Sequence, residues 1–164
     1  MSKSYRDNLQ AYISLGNLAI AKNWYLCAHK IAQDLSFEFD KPVYITAGII
    51  AALSPRCRWQ RNIIDAYNVC AALYNRQSLP KVTTYRKQAA KCLAIWNCLS
   101  VDDVVKVLSG KKTTAFYHNI LLDFTHITID VWICKAAGVE SYQPNKREYD
   151  KIAAAIYELA CLYD

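Results

Sequence analysis

Apolar positions recur at helical spacing along nearly the whole chain, and the polar breaks between them mark where helices start and stop. Tyr5 to about Ala21 and Asn23 to about Leu35 read as two N-terminal helices or one broken one, followed by a loop at Phe37-Glu38-Phe39-Asp40-Lys41. Asp40 is placed to cap a helix with Pro42 in its first turn, where the missing N–H costs nothing. That helix runs through Ile49, Ile50 and Leu53, is almost wholly apolar, and should therefore be central. Pro55 interrupts the pattern, and Trp59 to Leu73 resumes it with Ile63, Ile64, Tyr67, Val69, Cys70 and Leu73. Asn75 to Lys81, with Pro80, reads as a linker. Thr83 or Thr84 can cap the next helix, through Ala89, Leu93, Ile95 and Trp96.

Ser100, followed three residues later by Asp103, forms a capping-box pattern for a short helix Val101 to Leu108. Ser109-Gly110 then makes a tight turn into a helix from Lys111 to about Asp123. Phe124 to Thr128 is a connector, Asp130 can cap a helix Val131 to Ala137, and Gly138 is placed as its stop. After a polar loop containing Pro144, Lys146 to Tyr163 closes the chain with Ile152, Ile156, Leu159 and Tyr163 on one stripe. The pattern predicts an all-α protein of about eight to ten helices in a single compact helical domain spanning 1–164.

Composition agrees with a single packed domain. The 164 residues are 54% hydrophobic and 21% charged, with four glycines and four prolines, which argues against disorder or a turn-rich β fold. The longest apolar run, Val43 to Leu53, is well short of the roughly 20 residues that cross a bilayer. The N-terminus lacks the apolar stretch of a secretory signal, so the expected location is the cytoplasm and no membrane association is expected. Seven cysteines, at 27, 57, 70, 92, 98, 134 and 161, include no pair at the spacing that puts two thiolates on one metal. The reading is of reduced thiols, with no metal, no cluster and no cofactor.

The net charge of +6 is concentrated in three groups: Arg56, Arg58 and Arg61; Lys81, Arg86, Lys87 and Lys91; Lys106, Lys111 and Lys112. Such groups suit a polyanion, since each phosphate neutralised releases counterions. A solvated helix face is the plain alternative.

Gly110-Lys111-Lys112-Thr113-Thr114, followed eighteen positions after Lys112 by the aspartate of Ile127-Thr128-Ile129-Asp130-Val131-Trp132, carries the sharpest information. It resembles the core of the helix-hairpin-helix DNA glycosylases, in which a Gly-(Arg/Lys)-Lys-Thr-like hairpin precedes a Val-Asp-Thr-His-like run at the same spacing. Ala51-Ala52-Leu53-Ser54-Pro55 leading to Trp59-Gln60-Arg61-Asn62, and the segment Tyr85 to Ile95, are similar in order to the parts upstream of the family's hairpin. The resemblance covers about 45–140, with terminal helices in 1–38 and 146–163 packing on that core. The family's hairpin is usually Leu-Pro-Gly-Val-Gly before its basic pair, whereas Leu108-Ser109-Gly110 is two residues shorter and lacks one glycine, and Trp132 stands at the histidine-like position.

The resemblance implies that Arg56, Arg58 and Gln60 lie where the family wedges into DNA, that Gly110, Lys111 and Thr113 contact its backbone, and that Trp59, Tyr117, His118 and Trp132 line a pocket for a flipped base. Breaking an N-glycosidic bond builds positive charge on the sugar, which an ionised Asp130 would stabilise, although Asp130 also reads simply as a helix cap. Lys112, if buried, would act as an amine nucleophile giving lyase activity, although it also reads as a solvated lysine. His126 is a further residue able to touch substrate or phosphate. Three functions stay open: a DNA glycosylase that excises a damaged or modified base; a transferase that modifies thymine in phage DNA; and a non-catalytic module binding DNA or protein on the same scaffold. Fold alone does not choose among them.

Overall fold

The computed structural model describes residues 4–13, 15–139 and 144–163. Part of the expected loop before Pro144 therefore lies outside the described residues, as does the side chain of Tyr163. The described residues form nine helices and no strand: α1 Tyr5–Gln10, α2 Leu15–Glu38, α3 Val43–Leu53, α4 Trp59–Tyr74, α5 Arg86–Trp96, α6 Val101–Leu108, α7 Lys111–Ile120, α8 Val131–Ala136 and α9 Lys146–Tyr163. The all-α expectation holds. None of these helices is long and apolar enough to cross a membrane.

Packing divides the chain into two units, a larger one of Trp24–His126 and a smaller one that joins the residues up to Asn23 to those from Ile127 onward. In the larger unit α3 is the axis, as its composition predicts. Every residue from Ile45 to Leu53 is buried, and α4, α5, α6 and α7 all pack on it. Gly48 makes this possible. A Cβ there would fall 2.7 Å from Val104 Cγ1 on α6 and 3.0 Å from Ile95 Cγ2 on α5, so the missing side chain lets three helices close on one point. Thr46 satisfies its buried hydroxyl by donating to the Ala32 carbonyl of α2, at 2.7 Å.

Several helix ends differ from the sequence expectation. The first break falls after Gln10 rather than near residue 22, and α2 continues to Glu38. Asp40 does not cap α3. It takes a left-handed conformation (φ +47°) as the stop of α2, with the Lys41 amide reaching back to the Ser36 carbonyl, and Pro42 occupies the N-cap of α3. Thr83 and Thr84 do not cap α5, whose N-cap is Tyr85. Both threonines are engaged elsewhere: the Thr83 amide donates to the buried carboxylate of Asp65 at 2.8 Å, and the Thr84 hydroxyl donates to the Pro55 carbonyl at 2.7 Å. Helix α7 stops at Ile120, three residues early, because Leu122 turns left-handed (φ +65°).

The smaller unit packs α1, α8 and α9 around Leu9, Ile129, Cys134, Ala137, Ile152 and Leu159. Ile152 and Leu159 are buried and Ile156 half-buried, as the expected stripe requires. Gly138 ends α8 at φ +77°, and Asn8 Nδ2 fills the space a Cβ would take while donating to the Ala137 carbonyl at 2.9 Å. Both facts restrict that position to glycine.

Candidate functional site

The hairpin between α6 and α7 is the part of the resemblance that can be followed within one unit. Ser100 starts α6 with the expected cap: its Oγ accepts from the Asp103 amide at 3.2 Å and donates to Asp103 Oδ2 at 2.7 Å. Those hydrogen bonds, with that from Lys106, hold the Asp103 carboxyl below the usual carboxylate range. Ser109, not the glycine, takes the left-handed position (φ +51°) that reverses the chain. Gly110 is extended, and a Cβ there would meet only Thr113 Oγ1 at 3.9 Å. Packing within the fold therefore does not require a glycine at this position. Helix α7 begins without a side-chain cap and without an acid in its first turn, with Lys111 and Lys112 exposed and Thr113 half-buried.

Lys112 is exposed, so the burial that its nucleophile reading requires is not present. The other basic groups divide sharply by what they touch. Lys91 fastens α5 to the hairpin, donating to the Leu108 carbonyl at 2.7 Å and to Ser109 Oγ at 3.1 Å. Arg61 is tied to the buried Asp65 at 3.0 Å and donates to Thr83 Oγ1 at 2.8 Å, so it belongs to the fold. Arg56 is exposed in a left-handed conformation with its guanidinium 5.6 Å from the Tyr85 ring, while Arg58 and Gln60 are exposed at the start of α4.

The residues assigned to a base pocket have different environments. Trp59 packs 4.7 Å from Trp24 and 6.3 Å from Phe116 in an aromatic group beside the core. Tyr117 is wholly buried on α7, its hydroxyl has no hydrogen-bond partner among the described residues, and burial pushes its pKa upward. It is a core residue and does not present a ring to a ligand. Trp132 is 71% exposed in the smaller unit, with Lys135 Nζ 4.7 Å from its ring. Asp130, in the same unit, is the N-cap of α8: its Oδ1 accepts from the Trp132 and Ile133 amides, both at 2.9 Å. The cap reading of Asp130 is thus correct. Lys112 belongs to the larger unit.

His118 lies in a cluster that sequence reading did not assemble. The left-handed turn at Leu122 lets the Asp123 amide return to the His118 carbonyl at 2.9 Å, which brings the Asp123 carboxylate to Nδ1 of the His118 ring. His118 Nδ1 is 3.2 Å, and His126 Nε2 3.6 Å, from the same oxygen, Asp123 Oδ2. The two imidazoles stack at 4.0 Å. Asp123 Oδ1 is held by the amide and hydroxyl of Thr125, at 3.2 and 2.6 Å, and these bonds keep the carboxyl below the usual carboxylate range. Desolvation, and then the neighbouring His126, lower the pKa of His118. The lack of paired cysteines, on which the expectation of no metal rests, does not bear on a histidine-aspartate set. The spacing His118, Asp123, His126 was the available sequence cue.

A second feature, and one for which the sequence offers no cue, is an open cleft of about 900 Å³ between the end of α4, the following loop and α5, lined by Leu73, Leu79, Val82 and Leu93 with Lys81 and Arg86 among its residues.

Residues 16–163 match a family of unknown function, DUF7178, and the chain belongs to that family. No curated protein and no solved structure gives a significant match to it.

Proposed function

We propose that this protein binds DNA through the α6–α7 hairpin, with the start of α7 set against the phosphate backbone. The observation that carries the reading is the make-up of that start: an exposed glycine with no Cβ in the way, no acidic residue in the first turn, and two exposed lysines. The first amides of a helix lack intrahelical acceptors, and the macrodipole adds partial positive charge, so such an end favours an anion. The Trp59 ring at the start of α4 meets Phe116 of α7 with centroids 6.3 Å apart, and Arg56, Arg58 and Gln60 flank that tryptophan in the same unit. They supply further contacts to the strand.

Excision of a base is the second reading, supported by a half-buried aspartate at the start of α8 next to a largely exposed tryptophan able to stack on a base. Binding is tested by fluorescence anisotropy with a labelled duplex across a salt series. Reversal of both charges in Lys111→Glu/Lys112→Glu lowers the slope of log K against log salt by about two, since each phosphate contact contributes about 0.9. An unchanged slope, or no binding of wild type at low salt, refutes the proposal. For the second reading, duplexes with uracil, hypoxanthine, alkylated, oxidised and phage-type modified bases are analysed by mass spectrometry. Base release lost in Asp130→Asn supports a glycosylase, and an altered but retained base supports a transferase. Neither change, with binding intact, leaves a non-catalytic module.

A further inference from the structure

We propose that His118, Asp123 and His126 form a binding site for a divalent transition-metal ion, with Zn²⁺ the best match. The inference is independent of the DNA-binding reading.

The donor set is two imidazole nitrogens and one carboxylate oxygen, the combination that borderline ions such as Zn²⁺ take in preference to the all-oxygen shells of Mg²⁺ or Ca²⁺. In a tetrahedral Zn²⁺ shell with bonds of about 2.0–2.1 Å, neighbouring donor atoms stand about 3.3 Å apart. Here the two nitrogen-to-oxygen separations are 3.2 and 3.6 Å, already at that value. All three donor atoms lie within 4.8 Å of one another, so the two nitrogens need to close by about 1.5 Å at most. His126 stands on the connector beyond α7 with its ring stacked on that of His118 at 4.0 Å, so binding requires its imidazole to turn out of the stack and bring its lone pair onto the ion.

The surroundings also suit an ion. Thr125 holds Asp123 Oδ1 from two sides and so aims Oδ2 at both rings, the kind of support that orients a metal-bound carboxylate. His118 is mostly covered, with 17% of its side chain exposed, whereas Asp123 and His126 are exposed by 41% and 43%. An ion can therefore enter from solvent and keep one coordination position for water. Three protein ligands with an open fourth position is the arrangement of a zinc ion that meets a substrate, unlike the closed four-ligand structural sites. The backbone holds the set together at the cost of a left-handed leucine, Leu122, in the turn between the first two ligands.

The test uses the full chain with Cys27→Ser and Cys161→Ser, since these exposed thiols would otherwise bind the probe ions. After chelator dialysis, Zn²⁺ is titrated by calorimetry and Co²⁺ by its visible d–d absorption. One ion per chain is expected, with saturating Zn²⁺ at a hundred times its Kd raising Tm by about 5–10 °C. His126→Ala, at a half-exposed connector position that should not disturb folding, abolishes the Co²⁺ bands and the Tm rise. Thr125→Ala weakens binding about 10-fold or more while leaving the three ligands in place. Absence of a one-to-one ion at micromolar concentration overturns the proposal, as does binding that persists in folded His126→Ala and Asp123→Asn chains.

Discussion

Replacing Gly48 with alanine probes the larger unit at its most crowded point. The added methyl would sit 2.7 Å from Val104 Cγ1 and 3.0 Å from Ile95 Cγ2, whereas carbon atoms prefer about 3.5–4.0 Å. Val104 is β-branched and wholly buried, so it cannot rotate away cheaply, and α6 must move by nearly 1 Å. Overpacking of this kind costs about 1–3 kcal/mol, while alanine gains about 1 kcal/mol over glycine in helix propensity. The net expectation for Gly48→Ala is a loss of up to about 2 kcal/mol, equivalent to a Tm lower by up to about 8 °C at this chain length. Urea unfolding followed by circular dichroism and tryptophan fluorescence reads it, three of the four tryptophans being in this unit. Val104→Ala makes room for the methyl. The double variant should therefore be more stable than the sum of the two singles by about 1–2 kcal/mol. A Gly48→Ala chain stabilised by the full helix-propensity gain of about 1 kcal/mol, or a coupling of zero with Val104→Ala, would refute the reasoning that α3, α5 and α6 close on this glycine.

Three further outcomes follow from the caps and the thiols. Asp130→Ala removes both amide bonds at the start of α8 and should cost about 0.5–2 kcal/mol, measured by thermal unfolding, while Asp130→Ser retains a cap and most of that stability. Because Asp103 is held below its usual range in the fold, its contribution is present above pH about 4 and is lost as pH falls through the lowered folded value. Acid unfolding of Asp103→Asn should show a shallower loss of stability in that window than wild type, and identical acid limbs would count against it. In native protein at neutral pH a disulfide reagent should modify Cys27 and Cys161 first. Cys70, which burial pushes up to about 12, and the buried Cys92 and Cys134 should react only on unfolding. Rapid native modification of Cys70 would contradict the placement of α4.

What the sequence determined by itself is what short-range physics controls. The apolar run of α3 named the central helix, because eleven residues without a charge have nowhere stable to go but inside. Ser100, Asp130 and Gly138 marked their helix ends correctly, since a cap engages amides or a turn only two or three residues away. The sequence misplaced Asp40, Thr83 and Thr84 for the opposite reason. Each has a local role open to it, and partners or turns that only the folded chain provides decided otherwise. Tertiary structure alone also separated the basic residues, fixing Arg61 on a buried carboxylate and Lys91 on the hairpin while leaving Lys112 exposed. It buried Tyr117, and it drew His118, Asp123 and His126 onto one point through a left-handed leucine that no propensity favours. Periodicity tells which face of a helix is apolar. Where three side chains from a helix end and its connector converge depends on how the chain reverses between them, and that is set by the packing of the whole unit.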